Sequence, residues 1–354
     1  MGLTILNVAY PFAPVGPDAT GGAEQVLTHI DQALTAAGHR SLVIACEGSS
    51  TAGTLLPVPR TPGLLDDPAM AAARARHRQA IATAFERWPI DVVHLHGVDF
   101  HTYLPAPGVP VLATLHLPVE FYAPEALHSR RADTWLHCVS QSQHASCQPN
   151  PHLLATIENG VPERFLNSRH ARRGFALMLA RMCPEKGVHL AIEAAKRAGI
   201  SLLIAGEVYP YEAHQHYFRA EIEPRLDQRR RFIGPVGLAR KGRLLAAARC
   251  LLAPSLVRET SCLAVREALA SGTPAVAFAR GALADTIEHG RTGFLVHDEV
   301  EMAQAIARID EISPDVCRST ARARFSMERM IQQYIATYEA LSQSRSDYSV
   351  LGAA

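Results

Sequence analysis

The chain has 354 residues, a length that suits two domains, each large enough to bury its own core. Hydrophobic residues make up 48% and charged residues 19%, and 35 Lys and Arg against 34 Asp and Glu leave a net charge of +1. That balance excludes a global pull toward nucleic acid or an anionic membrane, so any anion site must be local.

No run of about 18 apolar residues occurs, which excludes a membrane-spanning helix. The start, Met1 to Tyr10, lacks the basic and long apolar regions of a signal peptide. Seven cysteines are scattered (46, 138, 147, 183, 250, 262, 317), with no Cys-x-x-Cys pair. The expectation is a cytoplasmic, reducing setting with neither a disulfide framework nor a structural zinc site.

In chain order, Leu3–Ala9 reads as a strand meeting a Pro/Gly-rich loop, followed by a helix over Gly22–Ala37 and a strand over Ser41–Ala45. This βαβ unit requires a parallel sheet. Thr51–Asp67 reads as a weakly patterned loop. Ala69–Trp88 reads as a helix carrying Arg74, Arg76, Arg78 and Arg87, which is either a solvated face or a weak peripheral contact with the inner membrane face. Further strands are predicted at Val92–Leu95, Val109–Thr114, Leu136–Val139 and Leu154–Ile157. The rhythm then restarts. Phe175–Leu179, Ser201–Ala205, Arg231–Ile233, Cys250–Ala253, Ala275–Phe278 and Gly293–Val296 read as strands, and Glu185–Ala198 as a helix. The fold class is therefore α/β, with two Rossmann-like domains facing a cleft, residues 1–168 and 169–325. A helix over Ser326–Leu341 should pack back on the first domain, and the last dozen residues read as frayed.

Ligands of such sheets bind at the carboxyl ends of strands, which directs attention to four loops. Glu259 precedes a helix predicted to be capped by Thr260 or Ser261, and Glu267 lies two turns inside it. Two carboxylates about 12 Å apart along a helix could grip two sugar rings, with the helix N-terminus between them suited to a diphosphate. The competing reading is a pair of solvated charges. Arg181 and Lys186 flank a loop that opens a helix at Pro184, a place to neutralise a departing diphosphate. Gly21 and Gly22 let a ligand approach the first loop closely, but neither Gly-x-Gly-x-x-Gly nor Gly-Lys-Ser/Thr is present, which disfavours nicotinamide and P-loop chemistry. Among 17 histidines, His94 and His96 share a strand face that could suit zinc, but no convincing further ligands are in view. His116 ends the next strand, either facing ligand or bonded structurally.

Taken together these segments resemble the family 4 glycosyltransferases of GT-B fold, over nearly the whole chain. Gly21-Gly22-Ala23-Glu24 resembles the family's Gly-Gly-x-Glu loop, and Asp91-Val92-Val93-His94-Leu95-His96 its Asp-Val-Val-His-x-His strand. Thr114-Leu115-His116, Asn159-Gly160-Val161 and Arg181 to Gly187 resemble three more segments. Glu259 to Glu267 is similar to the Glu-x7-Glu motif, and Gly290 to Val296 to the closing Gly-x-x-Gly-Phe-Leu-Val. The resemblance implies that Glu259 and the backbone of Thr260, Ser261, Cys262 and Leu263 bind the donor sugar, and that Glu267 binds the ribose. It implies that Arg181 and Lys186 hold the diphosphate with help from Gly22, and that His116 faces the transferred sugar. It also implies retention without a metal or other cofactor, the nucleotide sugar being a co-substrate, with UDP favoured. The acceptor would be a hydroxyl of a glycan, a lipid-linked glycan or a small molecule, and no nucleic acid is involved. The alternatives are a nucleotide-sugar epimerase or hydrolase, or a non-catalytic nucleotide-sugar-binding module. The chain departs from the family pattern at Cys262, where glycine is usual, at Ala180, also usually glycine, and at Pro162, usually Asp.

Overall fold

The computed structural model describes residues 2–162, 165 and 170–351, with side chains as far as Gln343. The chain divides into two compact units, one of residues 1–158 with 328–354 and one of residues 159–327. The sequence-based boundary at 168/169 lies outside the described residues.

The first unit holds strands β1 (Thr4–Val8), β2 (Arg40–Cys46), β3 (Thr54–Val58), β4 (Val92–Leu95), β5 (Val111–Leu115) and β6 (Thr134–Cys138), in the order β3-β2-β1-β4-β5-β6. All pairs are parallel. Strands β1, β2, β4 and β5 are almost continuously buried, as the interior of a sheet covered on both faces must be, while edge strand β3 buries only Val58. Helix α1 (Gly22–Ala36) buries Val26, Leu27, Ile30 and Leu34 at helical spacing. Helix α2 (Asp67–Arg87) buries only Ala73, His77, Ile81 and Ala84. Arg74 pairs with Asp99 at 2.8 Å, Arg76 bonds Thr61 and Arg78 bonds the Thr102 carbonyl, so these charges serve the unit's own surface.

Two expectations fail here. β3 lies where a loop was expected. It is an edge strand containing Pro57, and an edge is where a sheet tolerates proline. It is fixed by Asp31 of α1, whose carboxylate accepts from Ser41 Oγ at 2.7 Å and from the Ala52 amide at 2.6 Å. Conversely, Leu154–Ile157 is not a strand. It makes a single bridge through Leu153 to Leu136 and isolated bonds to the carbonyls of Leu136 and Cys138.

The second unit holds β7 (Phe175–Leu179), β8 (Ser201–Ala205), β9 (Arg230–Phe232), β10 (Cys250–Ala253), β11 (Ala275–Phe278) and β12 (Gly293–Val296), in the order β12-β11-β10-β7-β8-β9. Counted from its own first strand, this is the same order as in the first unit. Its helices of eight residues or more are α3 (Val188–Arg197), α4 (Leu238–Ala247), α5 (Leu263–Ala270), α6 (Glu299–Ala307) and α7 (Pro314–Arg324). The sheet and helices bury one apolar core running from Val161 to Phe325.

The entry and exit of this unit run side by side. The Val161 amide bonds the Phe325 carbonyl at 2.9 Å, and a Cβ at Gly160 would stand 2.4 Å from Met327 Cα. The C-terminal helix α8 spans Met327–Leu351, ten residues beyond the predicted Leu341. No Gly or Pro interrupts residues 342–351, so nothing in the polar tail breaks it before Gly352. Tyr334, Tyr338 and Leu341 of this helix are buried in the first unit.

Candidate functional site

In both sheets the strand order reverses between the unit's first and fourth strands, and the loops after those strands diverge to leave a binding crevice. In the second unit they are the loop after β7, which carries Arg181 and Lys186, and the loop after β10, which carries Glu259 to Cys262. Residues some 75 positions apart in sequence are thus brought together by topology.

The contact is direct. Lys186 Nζ lies 2.5 Å from Glu259 Oε1, which also accepts from Ser255 Oγ. Burial opposes the charge on both partners. Their mutual attraction outweighs it, holding Lys186 above and Glu259 below its ordinary pKa, so the ion pair is intact at neutral pH. The Arg181 charge acts on the same pair. Backbone bonds lock the loops together: the Leu256 amide donates to the Glu185 carbonyl and the Ala282 amide to the Glu259 carbonyl, each at 2.8 Å. Gly187 has φ of 61°, and a Cβ there would meet the Pro254 carbonyl oxygen at 2.2 Å. That contact divides the predicted Glu185–Ala198 helix into a 3-10 turn over Pro184–Lys186 and α3, with left-handed Gly187 between them.

The helix α5 starts later than predicted. Cys262, not Thr260 or Ser261, is its N-cap residue, and no side chain caps it. Cys262 has φ of 52°, the one positive φ outside glycine among the described residues. A side chain in the left-handed region costs about 1–2 kcal/mol. Burial raises the Cys262 thiol to about 12, so it stays protonated. Thr260 and Ser261 are buried, and Ser261 Oγ has no hydrogen-bond partner. We expect Cys262→Val to lose about 2 kcal/mol or more, because a β-branched side chain resists positive φ, while Cys262→Gly changes stability by less than about 1 kcal/mol. Chemical denaturation of both variants checks this, and equal losses would show that φ is not the constraint.

Glu267 lies inside α5, only 4% exposed, and pairs with Lys241 Nζ of α4 at 2.7 Å. Lys241 and Ser255 belong to no motif of the sequence. Lys241 sits 26 residues before its partner, with no spacing to mark it. Arg266 of α5 donates to the Asn159 carbonyl at 2.6 Å, fastening the Asn-Gly-Val segment to the helix that bears Glu267. A cavity of about 720 Å³ in this unit lies elsewhere, at the amino ends of β7 and β8, lined among others by Arg173, Arg231 and Arg243; none of the predicted site residues borders it.

The remaining predicted residues belong to the first unit. Gly21 is the extended N-cap of α1, with the Glu24 carboxylate folded against it, and Gly22 is the helix's first residue. His116 follows β5 and meets His96, with Nε2 to Nδ1 at 3.0 Å and stacked rings. Beside them, Thr114 Oγ1 lies between His94 Nε2 at 2.7 Å and His137 Nε2 at 2.6 Å, and His94 Nδ1 meets the Tyr338 hydroxyl at 2.7 Å. Burial pushes His116 down to about 3 and His137 to about 4, so both rings are neutral at pH 7. His94 and His96 thus bond neighbouring side chains rather than standing as an open ligand pair.

Residues 20–163 match the family described as Glycosyltransferase Family 4, and residues 174–311 match that described as Glycosyl transferases group 1. A glycogen synthase of Mycobacterium tuberculosis is 26% identical, over 94% of this chain and 91% of its own length. Sucrose-phosphate synthase from Thermosynechococcus elongatus superposes with a TM-score of 0.76 at 19% identity, covering 96% of this chain and all of that one. Anabaena HepE in complex with UDP-glucose gives 0.74 at 19% identity and the same coverage. No helix among the described residues is long and apolar enough to cross a membrane. With two sheets of like strand order, a buried Glu-x7-Glu pair and family matches on both halves, the chain belongs to the family 4, group 1 glycosyltransferases of GT-B fold.

Proposed function

We propose that the protein transfers a hexosyl unit from a nucleoside-diphosphate sugar, UDP-linked by preference, to a hydroxyl acceptor, with retention and without a catalytic metal. The observation that carries this reading is the Lys186–Glu259 ion pair at the strand-order reversal, with Arg181 beside it. Glycosyl transfer passes through an oxocarbenium-like state as the diphosphate departs. Lys186 and Arg181 stabilise the charge that gathers on the leaving group, and the uncapped start of α5 adds backbone donors. Glu259 accepts from sugar hydroxyls, and the partnerless Ser261 Oγ offers one more polar atom in the same loop. Glu267, held by Lys241, takes the ribose hydroxyls. His116, neutral, faces the transferred sugar. The acceptor is a glycan, a lipid-linked glycan or a small metabolite, and the relatives' naming of glycogen synthase and sucrose-phosphate synthase favours a carbohydrate hydroxyl.

A thermal-shift panel of UDP, GDP, ADP and their sugar conjugates tests the donor. A ligand at 100 times its Kd adds about 2.7 kcal/mol of stability. A selective shift names the nucleotide, and no shift with any of them sinks the reading. Glu267→Ala should then raise KM for that donor by about 10- to 100-fold at little cost in kcat, the mark of lost uniform binding. A dependence of turnover on added acceptor separates transfer from hydrolysis or epimerisation.

A further inference from the structure

We propose that Cys183, Glu185 and His214 form a binding site for a thiophilic divalent cation, Zn2+ foremost, between the Arg181–Gly187 loop and the short helix after β8. One ligand atom from each, the Cys183 sulfur, a Glu185 carboxylate oxygen and a His214 ring nitrogen, lies within 4.8 Å of both others. No other group of three or more such residues among the described ones meets that condition. The second observation concerns Glu185 and His214, each of which has a buried polar atom with no partner, while the Cys183 thiol already faces Glu185. Glu185 Oε2 and His214 Nδ1 are both buried without a hydrogen-bond partner, and an orphaned buried polar atom needs a physical reason.

The scaffold suits a clip. Cys183 precedes the 3-10 turn that holds Glu185, while His214 comes from the short helix Glu212–Tyr217 after β8. Tyr211 packs edge-on against the His214 ring at 5.1 Å and restricts its orientation. Tetrahedral zinc places its ligand atoms about 3.5 Å apart, so side-chain rotations that draw the three atoms in by about 1 Å suffice. Sulfur, imidazole and carboxylate together select zinc or cobalt over magnesium or calcium. The thiolate and carboxylate cancel the two positive charges, so the occupied site is electrically neutral and tolerates Arg181 nearby. The balance is simple: the Cys183 S–H bond breaks, its proton goes to buffer, and an S–Zn bond forms with no change of oxidation state. A nucleophilic role for this thiol is excluded by its 1% exposure. Glu185 and His214 are only half-buried, so the cluster is not sealed within the core. The ion takes no part in sugar transfer. It ties the segment after β8 to the loop that carries Lys186.

Titration of the whole protein with Co2+, followed by competition with Zn2+, tests this without any activity assay. One Co2+ per chain is expected, with a thiolate-to-cobalt charge-transfer band, displacement by Zn2+, and no competition from Mg2+. Cys183→Ser should abolish the band, and His214→Gln, at a half-buried position, should weaken binding more than about tenfold. Uptake that is unchanged in His214→Gln, or the absence of a stoichiometric thiolate-bound ion in the wild type, overturns the proposal. Should Cys183→Ser not fold, the His214→Gln comparison decides alone.

Discussion

Lys186→Ala should lower kcat by about 10²–10³, the loss seen when one charged or hydrogen-bonding group facing a developing negative charge is removed. Lys186 holds its proton firmly beside Glu259, so the charge is present throughout any practical assay range. The variant also strips Glu259 of its partner, leaving a carboxylate, 8% exposed, with Ser255 as its remaining side-chain donor. A buried charge that loses its counter-ion destabilises the fold, which would lower activity for a different reason. The two causes separate in a double variant. Lys186→Met with Glu259→Gln removes both charges, should recover most of the stability lost by the single change, and should remain slow. If the double variant regains turnover along with stability, Lys186 is structural and the leaving-group role falls. Lys186→Arg should recover only part of the rate, since a planar fork replaces a compact point charge.

Acidification should weaken the fold steeply. His77 and His137 titrate at about 4 in the folded protein and His116 at about 3, each lowered chiefly by burial, whereas an unfolded histidine titrates near 6.5. A depressed folded value means that the unfolded chain gains protons first. The contribution is therefore complete above pH 6.5 and is lost as pH falls from there toward 4. Each ring contributes up to about 1.4 kcal/mol per pH unit in that window, so these three alone lose about 3 kcal/mol between pH 6 and pH 5. His94 and His96, also lowered by burial, act in the same direction. Urea midpoints at pH 7, 6 and 5 measure this, and a flat profile sinks it. His77→Phe, at a fully buried position beside Tyr103, should reduce the slope by about one proton.

The fold was legible because buried parallel strands announce themselves as apolar runs, and ten of the twelve, from β1 at Leu3–Ala9 to β12 at Gly293–Val296, declare themselves at nearly their true bounds. β3 did not, because an edge strand with a proline and a threonine looks like a loop until Asp31 and β2 supply its partners. β6 reads from the sequence as Leu136–Val139 but spans Thr134–Cys138, since Thr134 and Trp135 stand outside the aliphatic run. Leu154–Ile157 carried a strand's composition and had only scattered bonds to make. At the candidate site, charged residues in strand-to-helix loops were visible as motifs, and the structure joins Lys186 to Glu259. Lys241 and Ser255 were invisible because their importance lies entirely in which carboxylate each faces. The left-handed backbone at Cys262 had a faint signal, a cysteine standing where the family pattern has glycine.

The paired entry and exit at Gly160 and Met327 make the second unit a continuous insertion, while the first is assembled from the two extremities of the chain. A ribosome therefore delivers everything the second unit needs before it delivers the helix that buries Tyr334 and Tyr338 against His94 and His137. The first unit begins earliest and finishes last. Until residue 341 has emerged, its histidine cluster stands uncovered, and proteins of this size fold domain by domain as their pieces become available. A chain stopped at residue 326 would keep the core of the second unit and lose the helix that covers the first, so proteolysis of such a fragment should begin among residues 1–158 and spare 170–325.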